Sequence, residues 1–225
     1  MNVLITREAD KTAKFAGLLK KSGHVPFSLP MIECVPVEAD VSGHYDYGVF
    51  TSLNAVKYFE PYRNSVTFGK IAAVGSATSD ALTESEYSVD MMPDEYSAEG
   101  LKKLFSDIDL KGRRILLAGA ETRAGDFHTW LKMNGCAADI VTIYKTVEVK
   151  RSGDEIDSFI RQNGIEVITF ASPSAVRAFF DSCRTDRSLV AIGRTTAEEI
   201  KKYGYECYVP EEYTLEGMIK IIDQL

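Results

Sequence analysis

The sequence predicts an α/β protein made of two similar parallel-sheet modules, and three observations predict it. Short apolar runs alternate with amphipathic stretches, the βα pattern of a parallel sheet. The segment Phe50–Phe59 (FTSLNAVKYF) aligns with Phe170–Phe179 (FASPSAVRAF), with five of ten positions identical. The repeated pieces return in rotated order along the chain, and a cleft shared by two such modules is a common place for a ligand.

The elements follow in order. Val3–Thr6 reads as a strand. Asp10 suits an N-cap, Phe15, Leu18 and Leu19 share one helical face, and Gly23 suits a C′ stop. At an offset of 112 the pattern recurs: strand Ile115–Ala118, face Phe127, Trp130 and Leu131, stop Gly135. A second repeated block has offsets of 117 to 120. It predicts strands near Tyr47–Thr51, Ile71–Val74 and Ser88–Met92, and again near Val167–Ala171, Val190–Ile192 and Glu206–Val209. Each copy ends in a matched helix start, Ser97-Ala98-Glu99-Gly100-Leu101 and Thr214-Leu215-Glu216-Gly217-Met218.

Two layouts satisfy this order. Either each module is continuous, or the middle of the chain, about 44–140, forms one module and residues 1–33 with 151–225 form the other. In the second layout the extended, β-branched stretches Pro30–Asp40 and Ile140–Lys150 pair as a two-stranded connector. Each module then carries five parallel strands flanked by helices, a flavodoxin-like arrangement. Periodicity alone leaves both layouts open.

The chain has 225 residues, 45% hydrophobic and 26% charged, as expected of a packed soluble protein. Its formal net charge of −7 argues against a nucleic-acid binder. No apolar run is long enough to span a bilayer, and a strand at Val3 leaves no room for a signal peptide. Cys34, Cys136, Cys183 and Cys207 are scattered, as are His24, His44 and His128, so reduced thiols and no metal site are expected. His24 and the pair Glu198-Glu199 read as solvated surface.

Ligands of open parallel sheets bind beyond the carboxyl ends of the strands. Here those ends carry Thr6-Arg7, Thr51-Ser52, Gly75-Ser76, Ser172-Pro173-Ser174 and Gly193-Arg194-Thr195-Thr196, each leading into a helical pattern. Helix N-termini offer free N–H groups and partial positive charge, so such a rim can hold anions on a net acidic protein. The competing reading of each Ser or Thr is a helix cap, worth about 1 kcal/mol. Ser172 before Pro173 is the clearest cap. No G-x-G-x-x-G, P-loop or G-x-S-x-G motif is present, and Thr6, Ser52 and Ala118 do not supply the acidic cluster of a receiver domain. Tyr144, flanked by Lys145, Lys150 and Arg151, either donates a proton at the mouth of the cleft or merely packs its ring in the connector.

The motifs in order are Leu4-Ile5-Thr6-Arg7, Phe50-Thr51-Ser52-x-Asn54-Ala55-Val56, Val74-Gly75-x-x-Thr78, Ser97–Leu101, Tyr144-x-Thr146, Phe170-x-Ser172-Pro173-Ser174-Ala175-Val176, Ile192-Gly193-x-Thr195-Thr196-Ala197 and Glu216-Gly217-Met218. Together they resemble those of the uroporphyrinogen-III synthase family. Relatives often carry an arginine where this chain has Ala118, which leaves Arg123 as the available cation, and Leu53 stands where a smaller residue or proline is common.

The resemblance implies two flavodoxin-like, doubly wound parallel-sheet domains: 1–33 plus 151–225, and 44–140, joined by a ladder of 34–43 and 141–150. It implies a cytoplasmic, monomeric, cofactor-independent hydro-lyase of porphyrin and heme biosynthesis. The substrate is hydroxymethylbilane, which loses water and closes with ring D inverted. It further implies transient contact with the preceding pathway enzyme, and no metal, nucleic acid or membrane. Tyr144 assists departure of the hydroxyl. Ser172, Ser174, Thr195 and Thr196 receive substrate carboxylates in the outer module, Ser52, Asn54, Ser76 and Thr78 do so in the middle one, and Arg7 and Arg123 are salt partners. The alternatives are a two-domain clamp for small anions and an inactive regulatory paralogue.

Overall fold

A computed structural model describes residues 1–120 and 126–225. Along the chain the strands are β1 (Asn2–Ile5), β2 (Val25–Ser28), β3 (Ile32–Pro36), β4 (Gly43–Phe50), β5 (Val66–Ala73), β6 (Arg114–Ala120), β7 (Ala137–Glu148), β8 (Val167–Phe170) and β9 (Ser188–Ala191). The helices are α1 (Thr12–Lys21), α2 (Leu53–Phe59), α3 (Ser76–Glu84), α4 (Ala98–Phe105), α5 (Phe127–Met133), α6 (Gly153–Gln162), α7 (Pro173–Phe180), α8 (Arg194–Lys202) and α9 (Leu215–Ile222). The chain divides into two compact units, Met1–Glu33 with Val147–Leu225, and Cys34–Thr146.

In the first unit the sheet order is β2-β1-β8-β9, all parallel. Its central strands are apolar on both faces, as a sheet covered twice requires. Val3, Ile5, Val167 and Val190 face Phe15 and Leu19 of α1 and Met218 and Ile222 of α9. Leu4, Ile168, Phe170 and Leu189 face Ile156 of α6, Phe179 of α7 and Ile200 of α8. The alternation of side chains along a strand sorts neighbouring residues to opposite layers.

The second sheet has the order β3-β7-β6-β4-β5, and the pairs β7-β6, β6-β4 and β4-β5 are parallel. Phe50, Ala73 and Leu116 face Val56 and Phe59 of α2 and Leu82 of α3, while Val49, Ala72, Ile115 and Leu117 face Phe105 of α4 and Leu131 of α5. Matching β6-β7-β4-β5 to β1-β2-β8-β9 through the sequence repeat shows that the two sheets share one spatial order. The second unit is a circular permutation of the first, which is why the repeated pieces appear rotated in the sequence.

The chain passes from one unit to the other within β3 and β7, which pair with each other. Val149 N–H donates to Met31 C=O in the first unit, and Val37 N–H donates to Ile143 C=O in the second. One partner's number falls as the other's rises, which is antiparallel pairing. The unit boundaries, at 33/34 and 146/147, fall inside these two strands.

Three expectations need correction. The strands expected near Ser88–Met92 and Glu206–Val209 are not full elements: Met91 and Tyr208 make single parallel bridges to Ala72 and Val190. Two residues on, where the next ladder donor belongs, stand Pro93 and Pro210, which have no N–H to give. Asp10 is not the cap of α1: it lies in a single 3-10 turn ahead of that helix, and Lys11 occupies the α1 cap position without a side-chain capping bond. His24 and Glu199 are not solvated surface. His24 Nε2 lies 2.8 Å from Asp223 Oδ1 with its side chain 9% exposed, and Glu199 is 9% exposed between cations.

The matched starts of α4 and α9 have one structural cause. Ser97 and Thr214 accept from the N–H groups of Gly100 and Gly217, both at 3.0 Å. A side chain on Gly100 or Gly217 would overlap the carbonyl oxygen of Glu95 or Glu212. The expected stops Gly23 and Gly135 have φ of +80° and +77°.

Candidate active site

Within each unit, parallel pairing sets the strand carboxyl ends along one edge. In the first unit that edge carries Arg7 after β1, Ser172 after β8 and Gly193–Thr196 after β9. In the second it carries Ser52 after β4 and Gly75–Thr78 after β5. Arg123 lies outside the described residues.

The capping alternative separates these residues into two kinds. Ser52 and Ser172 are caps: their Oγ atoms accept from Ala55 N–H at 3.1 Å and Ala175 N–H at 3.4 Å. Ser76, Thr78, Thr195 and Thr196 are not. Glycines, Gly75 and Gly193, occupy the cap positions of α3 and α8, without a side-chain bond. Thr78 and Thr196 are equivalent residues of the first turn, 4% and 2% exposed, whereas Ser76 and Thr195 are exposed. The leading N–H groups of α3 and α8 have no intrahelical acceptor.

Arg7 follows the fully buried Thr6, whose Oγ1 donates to Thr169 C=O at 2.7 Å, and Thr169 returns the bond to Leu4 C=O at 2.7 Å. This reciprocal clasp fixes the chain where Arg7 emerges. Arg7 Nε is buried and has no hydrogen-bond partner among the described residues. A buried guanidinium N–H without an acceptor is costly, so an anion supplied from outside would satisfy it.

Tyr144 lies near the end of β7, 8% exposed. Its ring stacks on Tyr58 of α2, with centroids 5.2 Å apart and planes at 23°. Its hydroxyl lies 3.2 Å from Ser52 Oγ. The ring of Tyr144 therefore packs, and its hydroxyl has a polar partner. Ser52 Oγ already accepts from Ala55. One bond between the two hydroxyls uses one of their two protons, so the pair retains one proton to donate. Asn54 does not join this pair: its Nδ2 donates to Cys34 Sγ at 3.2 Å. In the first unit Ser172 Oγ is instead 3.0 Å from Ser174 Oγ.

Three aromatic residues beside these positions escaped the sequence reading. One is Tyr58. The others are Tyr96 and Tyr213, 60% and 51% exposed, whose rings lie over Gly75 and Gly193. An offset of 117 relates these two, so the repeat itself carries the signal.

Comparison with known proteins identifies the family. A family model for uroporphyrinogen-III synthase HemD matches residues 13–220. A protein of Methanocaldococcus jannaschii named "Putative uroporphyrinogen-III synthase" is 31% identical, over 100% of this chain and 99% of its own. The crystal structure of uroporphyrinogen-III synthetase from Helicobacter pylori superposes with a TM-score of 0.62 at 17% identity, covering 87% of this chain and 91% of that one. A mutant uroporphyrinogen III synthase from Thermus thermophilus gives 0.50 at 16% identity, covering 100% and 98%. By the family match over most of its length, with the shared two-sheet α/β fold, this chain belongs to the uroporphyrinogen-III synthase (HemD) family.

Proposed function

We propose that this chain converts hydroxymethylbilane to uroporphyrinogen III, a cyclisation with loss of one water. Family membership gives the reaction class. The observation that carries the reading to this chain is the hydroxyl pair of Tyr144 and Ser52, 3.2 Å apart with one proton left to donate.

The chemistry asks little of an acid and much of geometry. A pyrrole nitrogen lone pair expels the substrate hydroxyl, and Tyr144 gives the departing oxygen its proton, leaving water, an azafulvenium cation and the tyrosinate. The substituted carbon of ring D then bonds to the cationic methylene carbon, forming the spiro intermediate; the bond from that ring carbon to its original bridging carbon breaks, and the bridging carbon rebonds at the free α position of ring D, which inverts the ring. The hydrogen displaced from ring D at final closure restores the phenol. Closure at the unsubstituted position, without inversion, gives the type I isomer. Holding the chain in the productive curl lowers the barrier by several kcal/mol without a strong catalytic group.

The substrate's eight carboxylates need donors rather than bulk positive charge. We assign Arg7, Ser172, Ser174, Thr195, Thr196 and the N–H groups heading α8 to this task in the first unit. Ser52, Asn54, Ser76, Thr78 and the head of α3 do the same in the second. The unsatisfied Arg7 Nε supports the first set.

The test is incubation of the purified protein with hydroxymethylbilane, followed by isomer-resolving chromatography. Type III product above the spontaneous background is expected. Type I alone, at the uncatalysed rate, would refute the proposal and favour a clamp or an inactive paralogue.

A further inference from the structure

We propose that Tyr58 is a positioning residue for Tyr144, holding its ring plane so that the phenolic proton points along a fixed line. The inference rests on the reaction proposed above. Conjugation keeps a phenol O–H in the plane of its ring, so fixing the plane fixes the direction in which the proton can be given.

Tyr58 is itself held at both ends. Its ring stacks on Tyr144 at 5.2 Å, and its hydroxyl donates to Cys34 C=O on β3. Tyr58 stands on α2, the helix that Ser52 caps. One helix therefore carries both the group that orients the Tyr144 ring and the group that meets its hydroxyl.

The repeat shows that packing alone does not require this pair. At offsets of 120 and 112, Tyr58 and Tyr144 correspond to Ala178 and Ile32. Both are buried in the apolar cluster of the first unit, 7% and 2% exposed. The same fold is built there with plain aliphatic filling. There too, the cap equivalent to Ser52 pairs with a serine rather than with a phenol. Both aromatic residues occur only in the unit whose cap hydroxyl meets Tyr144.

The test measures kcat and KM for type III product with Tyr58→Leu and Tyr58→Phe, each in wild-type and Tyr144→Phe backgrounds, with melting curves for all. Tyr58→Leu is expected to lower kcat roughly tenfold with KM little changed, because a misdirected donor weakens the transition state rather than binding. Tyr58→Phe keeps the stack and should retain most of the activity. In the Tyr144→Phe background, Tyr58→Leu should change kcat less than about twofold, since there is no proton left to aim. Should Tyr58→Leu not fold, Tyr58→Met fills similar volume without a ring. Equal losses in both backgrounds, or wild-type kcat in the leucine or methionine variant, would overturn the assignment alone. A wild-type protein that makes no type III product would overturn the reaction and the assignment together.

Discussion

The hydroxyl of Tyr144 lies 3.2 Å from Oγ of Ser52, so a strand residue and a helix cap share one hydrogen bond. Removing either member separates proton donation from capping. Tyr144→Phe keeps the stacked ring and should melt near the wild-type temperature while type III formation falls at least several-fold. Ser52→Ala should lose activity and also about 1 kcal/mol of stability through the α2 cap. Kinetics and melting curves on the two variants check this. Wild-type turnover in Tyr144→Phe would remove the phenol from the mechanism.

Thr196→Ala tests the anion rim without touching a cap, because Gly193 holds the cap position of α8. The loss in kcat/KM should exceed what the change in stability explains. Measuring both, with Thr78→Ala as the counterpart in the second unit, decides the matter. Activity that declines only in step with the folded fraction would make these threonines structural.

Arg7 combines a buried Nε that has no partner among the described residues with a place on the candidate rim. Arg7→Met removes a donor that has no partner among the described residues, so stability should change by less than about 1 kcal/mol. KM for hydroxymethylbilane should rise several-fold as a carboxylate partner is lost. Urea unfolding together with steady-state kinetics reads both. Marked destabilisation with unchanged KM would make Arg7 a folding residue instead.

Glu199 gives a pH dependence of stability. Its Oε2 lies 2.7 Å from Lys202 Nζ and its Oε1 lies 3.6 Å from Arg177 Nη1. The hydrogen bond from Lys202, followed by the attraction of both cations, holds its carboxyl below the ordinary value of 4.5. A depressed pKa means that the folded state favours the ionised form. The stabilisation is complete above 4.5 and lost as pH falls through the lower folded value. Urea midpoints at neutral and acid pH should converge between wild type and Glu199→Gln as pH drops. A constant difference across that range would contradict the ion-pair origin.

Much of the fold was legible because parallel strands and amphipathic helices have different periods. Phe15 with Leu19 and Phe127 with Leu131 mark the buried faces of α1 and α5 as their spacing predicts. The layout was not legible from periodicity, because continuous and permuted arrangements bury the same faces. The pairing of β3 with β7 is a long-range choice that neither strand encodes alone. The strands expected near Ser88–Met92 and Glu206–Val209 were overcounted because their apolar runs outweighed Pro93 and Pro210. At the candidate site the serines and threonines stood out as residues before helices. Their division into caps and non-caps did not, since it turns on where each helix begins: Ser52 and Ser172 hold the cap positions of α2 and α7, whereas Gly75 and Gly193 hold those of α3 and α8. Tyr58 was hidden because its partner lies on another element, distant in sequence. Only the mismatch of the repeat at Tyr58 and Ala178 hints at it.

Pro93 and Pro210 also shape the margin of each sheet. An extended segment from a neighbour, approaching the outer side of Met91 or Tyr208, finds no continuous rail of donors and acceptors to zip along, because each run stops after one bridge. Open sheet margins are where β-rich chains ordinarily begin to aggregate, and interruptions of this sort blunt them. The prolines that shorten these strands thus leave those margins without a ladder for a second chain to extend.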